Sequence, residues 1–188
     1  AACIVATGDA DAMVTGTTRN YYASLKDIKR VIAIEKEKIL FGLSIMITRT
    51  RTLFIADSTV IHTPTSEQLA DIAVQAANEA KGLGHTPRVA LLSFANFGNP
   101  TMTGTERIHE AKEILNKRKV DFEYDGEMSA DVALNKELLE LYPFSGLSEP
   151  ANILIMPGLH SANIAAKLLG QVGGGQVLGP LLTGFSKP

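Results

Sequence analysis

Short apolar runs of strand length alternate along this chain with longer amphipathic segments, and this alternation constrains the fold more than any other feature. Val89–Phe94 is a continuous apolar run that predicts a strand. The segment before it predicts the clearest helix of the chain. Thr65-Ser66-Glu67-Gln68 fits a capping box, and Leu69, Ile72, Ala73, Ala76 and Ala80 fall on one face before Gly82 and Gly84 stop the run. Further strands are expected at Ile39–Thr48 and Thr52–Ala56, with Arg49–Arg51 as the turn, and at Val120–Tyr124, Asn152–Met156 and Gln176–Leu178.

Helical spacing recurs at Leu25, Ile28, Val31 and Ile32, and again at Ile108, Ala111, Ile114 and Leu115. Two more helices are expected over Ala130–Leu141 and Ser161–Gln171. Ala1–Thr7 fits either a strand or the last turn of a helix, and GDADAMVTG (Gly8–Gly16) reads as an acidic turn running into a short strand. Asn96–Thr105, rich in Gly, Asn, Pro and Thr, reads as a loop. The order implies an α/β fold, a three-layer α/β/α unit with a mainly parallel sheet covered on both faces.

At 188 residues the chain suits one domain or two small lobes. It can bury a core without disulfides or a structural metal. A net charge of −2 with no basic block argues against nucleic acid, because phosphate-backbone binding needs clustered Lys and Arg. The single cysteine, Cys3, excludes an intramolecular disulfide and a four-cysteine zinc site. It is compatible with a reducing compartment, and the cytoplasm is the expected location. No apolar run reaches the roughly 18 residues of a membrane span, so no membrane partner is expected. The abrupt apolar start and the Lys187-Pro188 end lead us to expect a piece of a longer chain.

Candidate chemistry is sparse. Asp9 and Asp11 in GDAD could act as a base or metal pair, but acids flanking Ala also suit a plain turn. DGEMSAD offers Asp125, Glu127 and Asp131 after a strand, where parallel sheets bind ligands, although helix starts also attract acids. Of the scattered His62, His85, His109 and His160, none is paired at metal-ligand spacing. His85 and His109 read as surface residues, while His160 in MPGLHSANI follows a strand and opens a helix. GQVGGGQVLG (Gly170–Gly179) leads from helix into strand, the reverse of a dinucleotide-binding turn, and reads as a helix terminus with a tight turn.

Taken in order, GDADAMVTG, HTPTSEQLADIA, PRVALLSFANFG, VDFEYDGEMSADVAL, PANILIMP, SANIAAKLLGQVGGGQVLGPLL and TGFSKP resemble the phosphate acetyl/butyryltransferases from Gly8 to Pro188. The resemblance implies the second lobe of that family, with an architecture like that of isocitrate and isopropylmalate dehydrogenases. The Arg-rich substrate patch and paired metal-binding aspartates of those dehydrogenases are missing here. Within the family, Thr17–Ile32 and Tyr142–Pro157 are similar to the version fused behind the catalytic core of hybrid NADP-dependent malic enzymes.

Two departures stand out. Phosphotransacetylases carry a His-Ser/Thr-Thr-Ala run whose hydroxyls and amides help hold the phosphoryl group; here the matching residues are Arg19-Asn20-Tyr21-Tyr22. The family's catalytic Ser-Arg pair and following Asp would lie beyond Pro188, so no catalytic residue is assigned. The resemblance implies acetyl-CoA or phosphate contacts at Arg19, Asn20, Tyr21, Lys26, Asp125, Asn163 and Lys187, with no metal bound by this chain. It further implies acetyl-CoA as an effector, self-association as a homodimer or larger oligomer, and NADP with Mg or Mn in a catalytic part outside this chain. The alternative reading is a piece of a working phosphate acetyltransferase.

Overall fold

The computed structural model describes residues 1–100 and 104–188, so residues 101–103 of the expected Asn96–Thr105 loop lie outside the described residues. The chain divides into two compact units: Ala1–Leu40 with Leu182–Pro188, and Phe41–Leu181.

The smaller unit is built on two helices, α1 (Ala2–Thr7) and α2 (Tyr21–Val31). The short Ala1–Thr7 segment could not choose between helix and strand on its own. Burial of Val5 against Ile28 and Ile32 favours the helix, and Gly8 ends it in the left-handed conformation (φ 88°) that glycine adopts without a Cβ penalty. Residues 8–16 contain no strand, contrary to expectation: Asp9 instead accepts a hydrogen bond from Thr7 Oγ1 at 2.6 Å, closing a turn. Leu25 and Ile28 are buried as their spacing predicts, but α2 stops at Val31, which is 39% exposed, and Ile32 is already extended.

The larger unit begins with a hairpin, β1 (Phe41–Ile47) and β2 (Thr52–Ala56), turned by a Thr48 N–H to Arg51 carbonyl bond of 2.9 Å. Then follow α3 (Ser66–Gly82), β3 (Arg88–Leu92), α4 (Glu106–Arg118), β4 (Glu123–Met128), α5 (Ala130–Leu134), α6 (Lys136–Leu139), β5 (Ile153–Ile155), α7 (Leu159–Val172) and β6 (Gln176–Thr183). The six-stranded sheet has the order β4-β3-β5-β2-β1-β6. The β4–β3, β3–β5 and β5–β2 pairs are parallel and β2–β1 is antiparallel.

Side-chain alternation along the strands covers both faces. Ile55, Ala90, Leu92, Leu154 and Met156 pack with Val132, Ala133, Leu139, Ala162 and Ala166 of α5, α6 and α7. Helix α3 lies against β2, β3 and β5 and packs on α4. Its buried Ala70, Ala73, Ala76, Ala77 and Ala80 permit a close approach, while fully buried Leu69 and Ile72 each contribute about 1.5–3 kcal/mol of apolar burial. The capping box at Thr65 forms as expected, with Thr65 Oγ1 accepting from the Gln68 amide and Gln68 Oε1 from the Thr65 amide. Arg118 ties the end of α4 back to α3 through Glu67 and Asp71, both at 2.8 Å.

Two elements differ from expectation. The strand expected at Val120–Tyr124 lies at Glu123–Met128, because pairing with β3 overrides the turn-like polarity of Asp125-Gly126-Glu127. The single helix expected over Ala130–Leu141 is two short ones: Asn135 is extended, and its side chain accepts from the Glu137 amide to start α6.

Candidate functional site

Parallel sheets present their ligand-binding rim at the carboxyl ends of the strands, where loops leave for the next helix. In the larger unit that rim comprises the segments after β2, β3, β4 and β5. After β2, Asp57 is 4% exposed and organises the loop alone. Its carboxylate accepts from the backbone amides of Gly42 (2.7 Å), Thr59 (2.9 Å), Val60 (3.1 Å) and Ile61 (2.6 Å). Ser58 shares a 2.9 Å hydroxyl contact with Ser44, and its carbonyl accepts from Asn163 Nδ2 at 3.3 Å. The Leu159 amide bonds the His62 carbonyl at 3.1 Å, and the exposed His62 and His160 rings lie 5.1 Å apart. Sequence reasoning missed Asp57 and Ser58. The signal available was their place directly after an apolar strand.

The β4 acids point at α4. Asp125 and Glu127 alternate onto the same side of the strand, while His109 and Lys112 stand three residues apart on one helix face. Lys112 Nζ approaches Asp125 Oδ1 at 2.5 Å, and Asp125 Oδ2 accepts from the Gly146 amide at 2.7 Å. Glu127 is fully buried: Oε1 accepts from the Gly98 amide at 3.0 Å and faces His109 Nε2 at 3.2 Å. Its Oε2 has no hydrogen-bond partner among the described residues. His109 is exposed as expected, but one ring nitrogen faces a buried carboxylate that its sequence neighbours do not reveal.

Nearby, Asn96 Oδ1 accepts from the amide and hydroxyl of Ser129, joining the loops after β3 and β4. The Ser129 hydroxyl also lies 2.5 Å from Asp131, and this contact holds the Asp131 carboxyl below its ordinary range. Desolvation raises the Tyr124 phenol, with the Asp125 charge adding to the effect, while its OH donates to Asn116 Oδ1 at 2.6 Å.

Of the residues singled out from sequence, Asp125 and Asn163 belong to the larger unit, and Arg19, Asn20, Tyr21, Lys26 and Lys187 to the smaller. Asp125 is 2% exposed with its carboxylate already partnered. Asn163 reaches the Ser58 loop. In the smaller unit, Asn20 Oδ1 caps α2 by accepting from the Tyr22 amide at 2.9 Å, and Tyr21 is the first residue of that helix. Arg19 pairs with Asp27 at 3.0 Å. Lys26 and Lys187 are exposed. No three His, Cys, Asp or Glu side chains among the described residues are grouped to hold a metal ion. The glycines of 173–175 lead from α7 into β6, which is not the strand-to-helix order of a dinucleotide turn.

The fold as a whole matches solved phosphotransacetylases. The sequence profile of the phosphate acetyl/butaryl transferase family matches residues 1–188. The chain belongs to that family. It superposes on a phosphotransacetylase from Streptococcus pyogenes with a TM-score of 0.90 and 30% identity, covering 98% of this chain and 57% of that one. It is 54% identical over 187 residues to an NADP-dependent malic enzyme of Rhizobium meliloti (strain 1021), covering all of this chain and 25% of that protein. It is 39% identical over 200 residues to a phosphate acetyltransferase of Treponema pallidum (strain Nichols), covering all of this chain and 60% of that protein. The chain thus spans about a quarter of the malic enzyme and is a phosphotransacetylase-like domain of the kind such enzymes contain. Among the described residues, no helix is long and apolar enough to cross a membrane.

Proposed function

We propose that this chain is the C-terminal regulatory and assembly module of an NADP-dependent malic enzyme, and that it senses acetyl-CoA. The remaining part of the protein would oxidatively decarboxylate malate to pyruvate with NADP and Mg or Mn. Among the described residues no group of His, Cys, Asp or Glu could hold the metal, and the glycines of 173–175 lead from helix into strand, so both groups are proposed for that other part.

One observation carries the regulatory reading over a catalytic one. The run expected to cradle a transferring phosphoryl group is spent on its own helix: Asn20 caps α2, and Arg19 is committed to Asp27. Catalysis by anion stabilisation needs donors free and pre-aimed at the developing charge. Here Asn20 is oriented by its capping bond to α2 and Arg19 is turned toward Asp27, so neither is pre-aimed at such a charge. Acetyl-CoA would regulate by binding two global states with different affinity.

Support for assembly comes from α7, where Ile164 (63% exposed), Leu168 (58%) and Val172 (72%) form an apolar stripe at four-residue spacing. Stripes of this kind are usually covered, and a second copy of the chain is the proposed cover. Full-length protein should show malate-dependent NADP reduction that changes with acetyl-CoA. This chain alone should form no acetyl-CoA from acetyl phosphate above a buffer control. It should sediment as a dimer that becomes monomeric on Leu168→Glu, with weak acetyl-CoA affinity by calorimetry. A monomeric parent chain, or acetyl-CoA affinity equal to that of the full protein, would sink this reading. Similarity to the Treponema pallidum enzyme favours the second reading, part of an active phosphate acetyltransferase, and acetyl transfer by this chain would establish it.

A further inference from the structure

The amino-terminal ends of the same strands form a pocket of about 690 Å³ on the side of the sheet away from the carboxyl-end rim. Its construction follows from the alternation of β2 and β3. Ile55, Ala90 and Leu92 face α5, α6 and α7, so Leu53 and Arg51 on one strand and Arg88 on the other continue that face outward past the core. Strand β5 separates β2 from β3, and the register sets Arg88 level with Leu53, two residues along from Arg51, so the two arginine backbones stand about 12 Å apart at the usual strand spacing and rise. Both arginines line the pocket.

Each arginine is anchored by a single donor. Arg51 Nη1 donates to the Leu134 carbonyl at 3.0 Å, and Arg88 Nε donates to the Pro150 carbonyl at 2.9 Å. Neither has a carboxylate partner among the described residues. The remaining N–H groups are therefore held near a fixed position and left unspent. The floor is apolar, with Leu53 at 5% and Ala151 at 3% exposure, which strengthens charge interactions above it. Lys136 stands at the mouth, held by Glu149 at 2.6 Å, and this carboxylate raises the lysine. Glu149 is the single acid lining the pocket, against three fixed cations.

We propose that this pocket binds a small oxyanion carrying two or more negative charges, a phosphate ester or a polycarboxylate. The paired guanidiniums take its oxygens by bidentate bonds. Glu149 acts as a built-in competitor, releasing Lys136 to the ligand when it enters. The site is independent of the acetyl-CoA reading, since it shares none of the rim residues.

Calorimetry on the full chain at fixed ionic strength, with pyrophosphate and citrate as probes and chloride as the control, tests this. Saturable binding of at least one probe is expected, and comparing the two identifies the source of the oxyanion. Arg51→Gln and Arg88→Gln should each weaken binding about tenfold or more, the loss expected for a charge-assisted hydrogen bond. Glu149→Gln should strengthen it about two- to fivefold, the worth of an exposed ion pair. A gain of affinity cannot arise from misfolding, so Glu149→Gln keeps the test sound if Arg88→Gln fails to fold. Absence of saturable binding by both probes, or affinity indifferent to Arg51→Gln and Glu149→Gln, overturns the proposal.

Discussion

The two ends of the central sheet treat charge in opposite ways. At the carboxyl ends, acids are turned inward and consumed by the protein itself. Asp57 takes four backbone amides, and Glu127 takes Gly98 and His109. At the amino ends, Arg51 and Arg88 each spend one donor on a carbonyl and keep the others available. A buried carboxylate that accepts several N–H bonds is a loop anchor, because leaving those donors unpaired costs far more than the bonds yield. A guanidinium with free N–H groups at a pocket mouth costs little to maintain and remains able to bind. One end has a fixed shape, whereas the other keeps spare donors.

The largest effect that would break this contrast comes from Asp57→Ala. It strands four amides around a buried site, and we expect a loss of about 3–5 kcal/mol in urea denaturation. A loss under 1 kcal/mol would show that the loop after β2 holds itself without the acid.

Gly126→Ala should come next. At φ 150° the added Cβ would meet the Leu91 carbonyl oxygen at 2.5 Å and Leu91 Cβ at 2.6 Å, so β4 must move away from β3. A destabilisation of about 2–3 kcal/mol is expected from overpacking and an unfavourable backbone region. A neutral result would mean that the edge strand shifts freely.

A smaller effect concerns Ser129 and Asp131. Because the folded carboxyl is held below its ordinary value of 3.8, its contribution to stability is present above that value and lost as pH falls through the lowered one. Ser129→Ala should move the Asp131 titration upward in an NMR experiment, and the stability gap to the parent chain should narrow in acid. An unchanged titration would remove the hydroxyl as the cause.

The smallest effect sharpens the contrast from the other side. Arg51→Gln should alter thermal stability by no more than about 0.5 kcal/mol, since its side chain is exposed and unpaired by any described carboxylate. A large loss would turn Arg51 into a structural anchor like Asp57.

Much of the framework is legible in the sequence. The capping box at Thr65, the hairpin around Arg49–Arg51 and the apolar strands after residue 40 rest on local pattern, and local pattern survives folding when it agrees with its surroundings. Strand β4 was not legible at its true place. Three acids in six residues look like solvent-facing turn sequence until Lys112 and His109 are brought beside two of them from α4. Asp57 was missed for a related reason: its value lies in amides that any sequence offers, and only the course of the chain aims them at one carboxylate.

The sequence by itself determined the family, the α/β alternation and the helix that starts at Thr65, because each depends on residue order and spacing alone. Only the tertiary structure decided that Ala2–Thr7 is a helix, that Asn135 divides α5 from α6, and that Arg51 and Arg88, 37 positions apart, share one pocket. Such outcomes depend on which surfaces meet, and burial energy, non-directional and proportional to area, is settled only when the chain has folded.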